Sequence, residues 1–215
     1  MAMKTFDIIA VVLMVFVLLV NSFNILQMQE MKSGRVMAAQ QDNIAGMATQ
    51  QSSFSPSGID ILPKGIPAIY GAELGASYDD VSASDQKKAD ATINKLGVLD
   101  QQIKLSGADK ERYIAIASQI SCEYCCGVES IIFKDGSAAC SCQHSFAMRG
   151  IAKYLIKNHP AEFTDERILE ELSKWKILFF PSQMAAKAQV LKSKGIELNY
   201  INLASNKYRG VENGN

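Results

Sequence analysis

The chain has 215 residues, of which 48% are hydrophobic, and its 22 basic residues balance its 22 acidic residues. This length is sufficient for one sizeable hydrophobic core with appendages. A nucleic acid partner is not favoured, because the net charge is zero and the basic residues are spread along the chain. The sequence also lacks a Gly-rich phosphate loop, a G-x-S-x-G elbow and an H-E-x-x-H motif. With no nucleophile beside an identifiable base, the sequence favours a binding protein over an enzyme.

The N-terminus predicts a membrane anchor over residues 1–27. Residues 8–20 are an unbroken apolar run, and apolar side chains resume at Phe23. The segment therefore approaches the roughly 20 residues that a helix needs to cross a bilayer. A signal peptide cleaved after Ser22 is the alternative, since a run of this length also suits a signal sequence. Both interpretations predict export, and the first places the protein in the cell membrane as a single-pass protein.

The next stretch, residues 28–60, predicts a helical stalk followed by a flexible linker. Helix-forming residues continue to about residue 51. The Ser-, Gln-, Pro- and Gly-rich residues 50–60 are typical of a linker. The remainder divides into a cysteine-rich, metal-binding head at residues 61–205 and a polar tail at residues 206–215.

Apolar positions at helical spacing, bounded by cap residues and glycines, predict that the head is mainly helical. The five predicted helices span residues 84–99, 106–120, 143–157, 165–180 and 182–194. Gly97 is expected to interrupt the first of them, and the alternating residues 196–203 predict a strand. The predicted fold class is α+β: a mainly helical head with a short β-hairpin flanked by cysteines, preceded by a single N-terminal transmembrane helix.

Residues 121–145 hold all five cysteines of the chain and one of its two histidines, in the pattern C-x2-C-C-x13-C-x-C-x-H. The candidate metal ligands are Cys122, Cys125, Cys126, Cys140, Cys142 and His144. Between the two cysteine clusters, residues 130–133 favour a strand, and Asp135 with Gly136 is a turn signal. Residues 137–139 can return antiparallel to the first strand. The resulting hairpin would bring the two clusters face to face.

This set of donors predicts a metal site. Thiolates select Zn²⁺, Cu(I) and iron–sulfur clusters, and paired cysteine clusters are typical of small zinc sites. Zinc is the first expectation, with copper or an iron–sulfur cluster as the alternatives. Because zinc needs only four ligands, six donors imply either one that does not touch the metal or more than one metal. Arg149, five residues after His144 on the same predicted helix, could offset the thiolate charge or pair with a surface carboxylate.

Other states of the cysteines remain open. Five cysteines could form two disulfides between the clusters and leave one thiol, since the vicinal Cys125 and Cys126 pair with each other only under strain. Alternatively, Cys122 and Cys125 form a C-x-x-C pair, which is suited to thiol–disulfide exchange. Such a pair usually opens a helix, whereas this one follows a predicted helix. A third interpretation is a stapled module that presents a surface to another protein.

Several stretches resemble known families. The cysteine clusters followed by a histidine resemble the PCYCGC-type proteins, which are cysteine-rich, membrane-tethered and regarded as metal-binding. The stretches GAELGASYDDVS, ISCEYCCG, CSCQHSFAMRGIAKYL and ELSKWKILFFP resemble more closely an uncharacterised family of archaeal membrane-anchored proteins, over about residues 60–185. The resemblance implies an anchored metal-binding head. Together with the signal-like start of the chain, it favours an N-terminus inside the cell and an extracytoplasmic head. Another membrane protein is a separate candidate partner, to which the head could present a surface. It implies no activity.

Overall fold

A computed structural model of the chain describes residues 60–214. The predicted anchor at residues 1–27 and nearly all of the predicted stalk and linker lie outside the described residues. Within residues 60–214, no helix is both long and apolar enough to span a bilayer. The predicted transmembrane helix and the location derived from it, in the cell membrane with an extracytoplasmic head, are therefore corrected. The structure supports neither of them.

The described residues are mainly helical, as the sequence predicts for the head. The helices are α1 (Gly71–Leu74), α2 (Gln86–Gln102), α3 (Gly107–Ala117), α4 (Gln143–Asn158), α5 (Asp165–Phe179), α6 (Pro181–Ser193) and α7 (Tyr200–Ala204). Short 3₁₀ turns lie at Tyr78–Asp80, Asn206–Tyr208 and Val211–Asn213. No strand occurs in residues 60–214, so the predicted α+β class is wrong for this part of the chain.

The five predicted helices correspond to α2 to α6, and local signals explain their bounds. The Thr164 hydroxyl accepts a hydrogen bond from the backbone N–H of Arg167 at 3.3 Å, which caps the start of α5. Pro181 ends α5 and occupies the first position of α6, where its missing N–H costs nothing. Helix α2 runs through Gly97 without interruption, contrary to the sequence-based expectation.

Glycine instead allows α2 and α4 to pack closely. A Cβ atom added at Gly97 would lie 3.2 Å from the Cβ of Phe146, and one at Gly150 would collide with the carbonyl oxygen of Leu96. The absence of side chains at these two positions lets the backbones approach each other. This contact fixes α4 in the centre of the fold, where it also contacts α3 and α5.

The predicted β-hairpin is present only as a turn with one antiparallel bridge, between Ile132 and Ala138. The N–H of Phe133 donates to the carbonyl of Ser137 at 2.8 Å, and the chain reverses at Gly136, whose φ is 83°. Arms this short, with no third strand beside them in residues 60–214, do not extend into a ladder. The reversal that the sequence predicts is correct, whereas the strands are wrong.

The predicted strand at residues 196–203 is also wrong, because its second half forms α7. The side chain of Asn199 accepts a hydrogen bond from the N–H of Asn202 at 2.8 Å, which caps this helix. Leu203 and Ala204 are buried in the core. Capping by Asn199 and burial of one helical face therefore prevail over the local alternation.

Candidate metal centre

The cysteine segment joins the end of α3 to the start of α4. Two hydrogen bonds fold it back onto α3: the N–H of Ile131 donates to the carbonyl of Ile120 at 3.0 Å, and the Ser130 hydroxyl donates to the carbonyl of Ala117 at 3.1 Å. As a result, both ends of the segment lie beside the N-terminus of the central helix. Cys142 occupies the N-cap position of α4, and His144 lies in its first turn.

Three free thiols form a tight triad, namely Cys122, Cys125 and Cys142. The Sγ–Sγ distances are 2.8 Å for Cys122–Cys125, 3.2 Å for Cys125–Cys142 and 3.3 Å for Cys122–Cys142. Together with a ring nitrogen of His144, these donor atoms all lie within 4.8 Å of one another. Cys122 is buried, Cys142 is half-buried and Cys125 is exposed. The set could hold a metal ion, and its composition is one that tetrahedral zinc sites use.

The remaining two cysteines, Cys126 and Cys140, form a disulfide. In this oxidation state neither sulfur is a free thiol, and the structure contains one of the two disulfides that the alternative interpretation requires. The Sγ of Cys125 lies 3.8 Å from that of Cys126. The predicted C-x-x-C pair, Cys122 and Cys125, is reduced.

The spacing of the triad fits a metal ion after a small expansion. Zn–S bonds of about 2.3 Å in a tetrahedral site place the sulfur atoms about 3.8 Å apart. The triad must therefore open by roughly 0.5 to 1 Å to admit an ion. Because Cys125 is exposed and lies on a loop, its side chain can move without disturbing the core.

Hydrogen bonding makes Cys142 the most acidic thiol of the triad. The hydrogen bond with the Cys122 thiol, with further ones involving His144 and Ser145, outweighs burial and lowers the pKa of Cys142 to about 3. The hydrogen bond to Cys142 and burial raise the pKa of Cys122, and burial raises that of Cys125. The triad thus contains one thiolate, Cys142, that forms hydrogen bonds with two thiols. A bound cation would displace the protons of those two thiols.

Aromatic side chains enclose the His144 side of the site. The imidazole lies 4.8 Å from the ring of Phe179 and 4.9 Å from the ring of Phe180, measured between centroids. The ring of Tyr124 lies 5.3 Å from that of Phe180 and extends the same wall. These contacts, at the junction of α5 and α6, restrict the imidazole and limit access of water to it.

A buried ion cluster, formed by Glu123, Lys176 and Lys187, supports the loop between Cys122 and Cys125. The Glu123 carboxylate lies 2.9 Å from the Lys176 Nζ and 3.5 Å from the Lys187 Nζ, and both lysine side chains are 0% exposed. The carboxylate also accepts a hydrogen bond from the N–H of Gly210 at 2.8 Å. These contacts hold Glu123 at a φ of 42°, a left-handed conformation that few non-glycine residues adopt.

This ion cluster places two lysine side chains beside one carboxylate. Burial lowers the pKa of Lys176 to about 8, although the Glu123 carboxylate and the Cys122 sulfur nearby favour its charged form. Burial opposes ionisation of Glu123, but the two ammonium groups prevail and lower its pKa. The Lys187 Nζ finds no hydrogen-bond partner among residues 60–214. The Lys176 ammonium favours a thiolate at Cys122, in opposition to the hydrogen bond to Cys142 and the burial that raise the pKa of this thiol.

The sequence analysis missed these two lysines, although a signal was present. Lys176 and Lys187 lie at helical spacing with buried apolar residues of α5 and α6, such as Leu172 and Leu191. A lysine on an apolar stripe needs a buried counter-charge, because an unpaired buried ion is costly. The acidic residue inside the first cysteine cluster, Glu123, supplies that charge.

The predicted polar tail also contributes to the site. Tyr124 donates from its hydroxyl to the Glu212 carboxylate at 2.7 Å, and the Arg209 guanidinium donates to the carbonyl of Gly127 at 2.7 Å. The side-chain amide of Asn206 donates to the carbonyl of Glu129 at 2.8 Å. The C-terminal residues thus hold the cysteine loop against the helices.

Arg149 forms an ion pair with Asp100 at 2.8 Å, so its partner is a carboxylate, but a buried one and not the surface carboxylate that the sequence analysis expects. Its guanidinium also donates to the carbonyl oxygens of Cys140 at 2.9 Å and Ile131 at 3.2 Å. Arg149 therefore fixes the backbone on both sides of the chain reversal, including the cysteine of the disulfide.

Comparison with protein-family models, with curated proteins and with solved structures finds no match for the chain. The resemblance to the PCYCGC-type and archaeal families stays a prediction that rests on the quoted sequence stretches.

Proposed function

We propose that the protein is a metal-binding protein that holds one zinc ion on Cys122, Cys125, Cys142 and His144. The observation that carries this proposal is the convergence of three free thiols and one imidazole within 4.8 Å. Zinc accepts three thiolates and one imidazole in a tetrahedral site, and Cu(I) is the alternative because it also selects thiolates. An iron–sulfur cluster is less favoured, since a disulfide leaves only three of its usual four thiolates.

The charge around the triad supports an anionic metal centre. A divalent ion on three thiolates and a neutral imidazole carries one net negative charge. The cluster of Glu123, Lys176 and Lys187 carries one net positive charge when all three are ionised, and it lies beside Cys122. The two charges are complementary, which lowers the cost of burying either of them.

The exposure of the triad favours metal capture or delivery over stapling alone. A zinc site with four protein ligands has no open position, so the ion leaves it only when another donor replaces a ligand. Here Cys125 is exposed while Cys122 is buried. A partner's donor atom can therefore reach an ion at the exposed edge and exchange ligands with Cys125, whereas Cys122 and Cys142 retain the ion during the transfer.

Three measurements on the full chain, purified without chelator, test this function. They are elemental analysis, a count of reactive thiols and an accurate mass. We expect one zinc per chain. After the metal is removed we expect three thiols and a mass two hydrogens below that of the fully reduced chain. Binding of zinc should protect all three thiols from alkylation. A chain that takes up no zinc or Cu(I) under these conditions would contradict the proposal.

Thiol–disulfide exchange is a second candidate function. The disulfide between Cys126, which is exposed, and Cys140, which is buried, favours this function. It lies next to the Cys142 thiol, whose pKa is lowered to about 3. In such exchange a partner dithiol becomes a disulfide while Cys126 and Cys140 gain two electrons and two protons. Metal-free chain that equilibrates rapidly with a thioredoxin-like dithiol, and that binds no metal in either state, would favour this function instead.

A further inference from the structure

The cysteines and His144 form two overlapping sets of donors. One set is Cys122, Cys125, Cys142 and His144, and the other is Cys125, Cys126, Cys140 and Cys142. In each set the four donor atoms lie within 4.8 Å of one another. The sets share two members, Cys125 and Cys142. Each set also has two members of its own, which we call terminal donors because each could bind only one ion. The arrangement therefore contains four terminal donors and two shared donors.

Shared thiolates have a specific meaning in coordination chemistry. A thiolate sulfur carries enough lone pairs to bind two soft or borderline ions at once, which imidazole and protonated thiols do not. Two shared thiolates and two pairs of terminal donors are what a pair of four-coordinate ions requires. In the oxidised chain the second pair of terminal donors is lacking, because Cys126 and Cys140 are joined to each other.

We propose that reduction of the Cys126–Cys140 disulfide creates a second metal site, so that the protein holds two divalent ions bridged by Cys125 and Cys142. The first ion keeps Cys122 and His144 as terminal ligands, and the second takes Cys126 and Cys140. This inference rests on the proposed function, since the first ion occupies the site described there. The redox state of one disulfide thereby sets the metal capacity of the chain.

A dithiol reductant transfers two electrons and two protons to the disulfide, which becomes two thiols while the reductant becomes a disulfide. The second divalent ion then displaces the protons of Cys126 and Cys140, so two protons enter solution. The exposed Cys126 gives the reductant access to the disulfide bond.

The charge of the surroundings favours divalent ions for this pair. Two divalent ions on five thiolates and one neutral imidazole carry one net negative charge, the same as a single ion on three thiolates. The positive excess of Glu123, Lys176 and Lys187 is therefore matched equally well in both states. Two Cu(I) ions on the same ligands would carry three negative charges, which the described surroundings do not offset.

The protein also holds the second pair of donors in place after reduction. Cys140 is 7% exposed, and its carbonyl oxygen accepts a hydrogen bond from the buried Arg149 at 2.9 Å. That hydrogen bond does not involve the sulfur atom, so breaking the disulfide leaves it intact. Cys126 follows Cys125 directly in the chain, and its position is therefore tied to that of a bridging ligand.

The test uses cadmium NMR on the full chain loaded with isotope-enriched Cd²⁺, which reports both stoichiometry and bridging. The oxidised chain should bind one Cd²⁺ and give one resonance. After reduction by a dithiol and its anaerobic removal, the chain should bind two Cd²⁺ and give two resonances. Each resonance should be split by coupling between the two cadmium nuclei. This coupling is transmitted through a sulfur atom that binds both ions, so it is observed only if a thiolate is shared.

The matched control is the variant Cys126→Ser with Cys140→Ser, which keeps the first site and should bind one Cd²⁺ under both conditions. A reduced native chain that binds one Cd²⁺, or two without mutual coupling, would overturn the second site and leave the first intact. An oxidised chain that binds no Cd²⁺ would instead overturn the proposed function, so the two failures are distinguishable.

Discussion

Replacing Glu123 with glutamine (Glu123→Gln) is expected to lower the free energy of unfolding by about 3 to 5 kcal/mol, the usual cost of removing one partner of a buried ion pair. The amide has nearly the same shape as the carboxylate but leaves Lys176 and Lys187 buried without a counter-charge. Denaturant unfolding at neutral pH, followed by the fluorescence of the single tryptophan, Trp175, measures the loss.

Two comparisons separate charge from other effects of that substitution. The variant Glu129→Gln changes an exposed residue of the same loop and should leave stability unchanged. Adding Lys187→Met to Glu123→Gln should recover a large part of the loss, because one uncompensated charge is removed. If Glu123→Gln and Glu129→Gln have the same stability, the ion cluster does not support the cysteine loop.

The effect of Glu123→Gln should also depend on pH. Burial lowers the pKa of Lys176 to about 8, so above that pH this lysine is neutral and no longer needs the Glu123 carboxylate. The decrease in the free energy of unfolding caused by Glu123→Gln should therefore be smaller above pH 8 than at neutral pH.

Replacing Cys142 with serine (Cys142→Ser) is expected to weaken zinc binding on the order of 100-fold or more. Loss of a residue that only orients a metal ligand typically weakens binding by about 10- to 100-fold, and loss of a ligand itself should cost at least as much. Cys142 is the most acidic thiol of the triad, and a serine hydroxyl does not ionise near neutral pH. Competition with a chromophoric chelator on the full chain measures the dissociation constant in both proteins.

The same substitution distinguishes lost coordination from lost folding. Serine is a good N-cap residue, so α4 should form as before and the circular dichroism spectrum should be unchanged. The matched control is Cys140→Ser, which opens the disulfide but spares the triad and His144, and its zinc affinity should change only a few-fold. Equal affinities for Cys142→Ser and Cys140→Ser would show that Cys142 is not a ligand.

The sequence predicts correctly those helices and turns whose bounds are set by residues within them or directly beside them. Helix α5 begins at its Thr164 cap and ends before Pro181, and both features are visible in the sequence. The clustering of the cysteines was predictable for a similar reason, since a turn at Gly136 brings both ends of a short segment together. Neither inference depends on contacts with distant parts of the chain.

Contacts between distant residues explain what the sequence analysis missed. The spacing of five cysteines does not determine which two form a disulfide, because the Cys126–Cys140 pairing depends on how the loop packs against α3 and α4. The second half of the strand predicted at residues 196–203 forms α7 instead, whose apolar face packs in the core. Lys176 is buried only because Glu123 reaches it from a loop more than fifty residues earlier.

X-ray absorption spectroscopy at the zinc edge, on the full chain as purified with its disulfide intact, identifies the atoms that bind the metal. Coordination by Cys122, Cys125, Cys142 and His144 predicts three sulfur atoms at about 2.3 Å and one nitrogen atom at about 2.0 Å from the metal. Replacing His144 with alanine should remove the nitrogen signal and keep the three sulfurs. A shell made of nitrogen and oxygen atoms alone, or of fewer than three sulfurs, would contradict the proposed site.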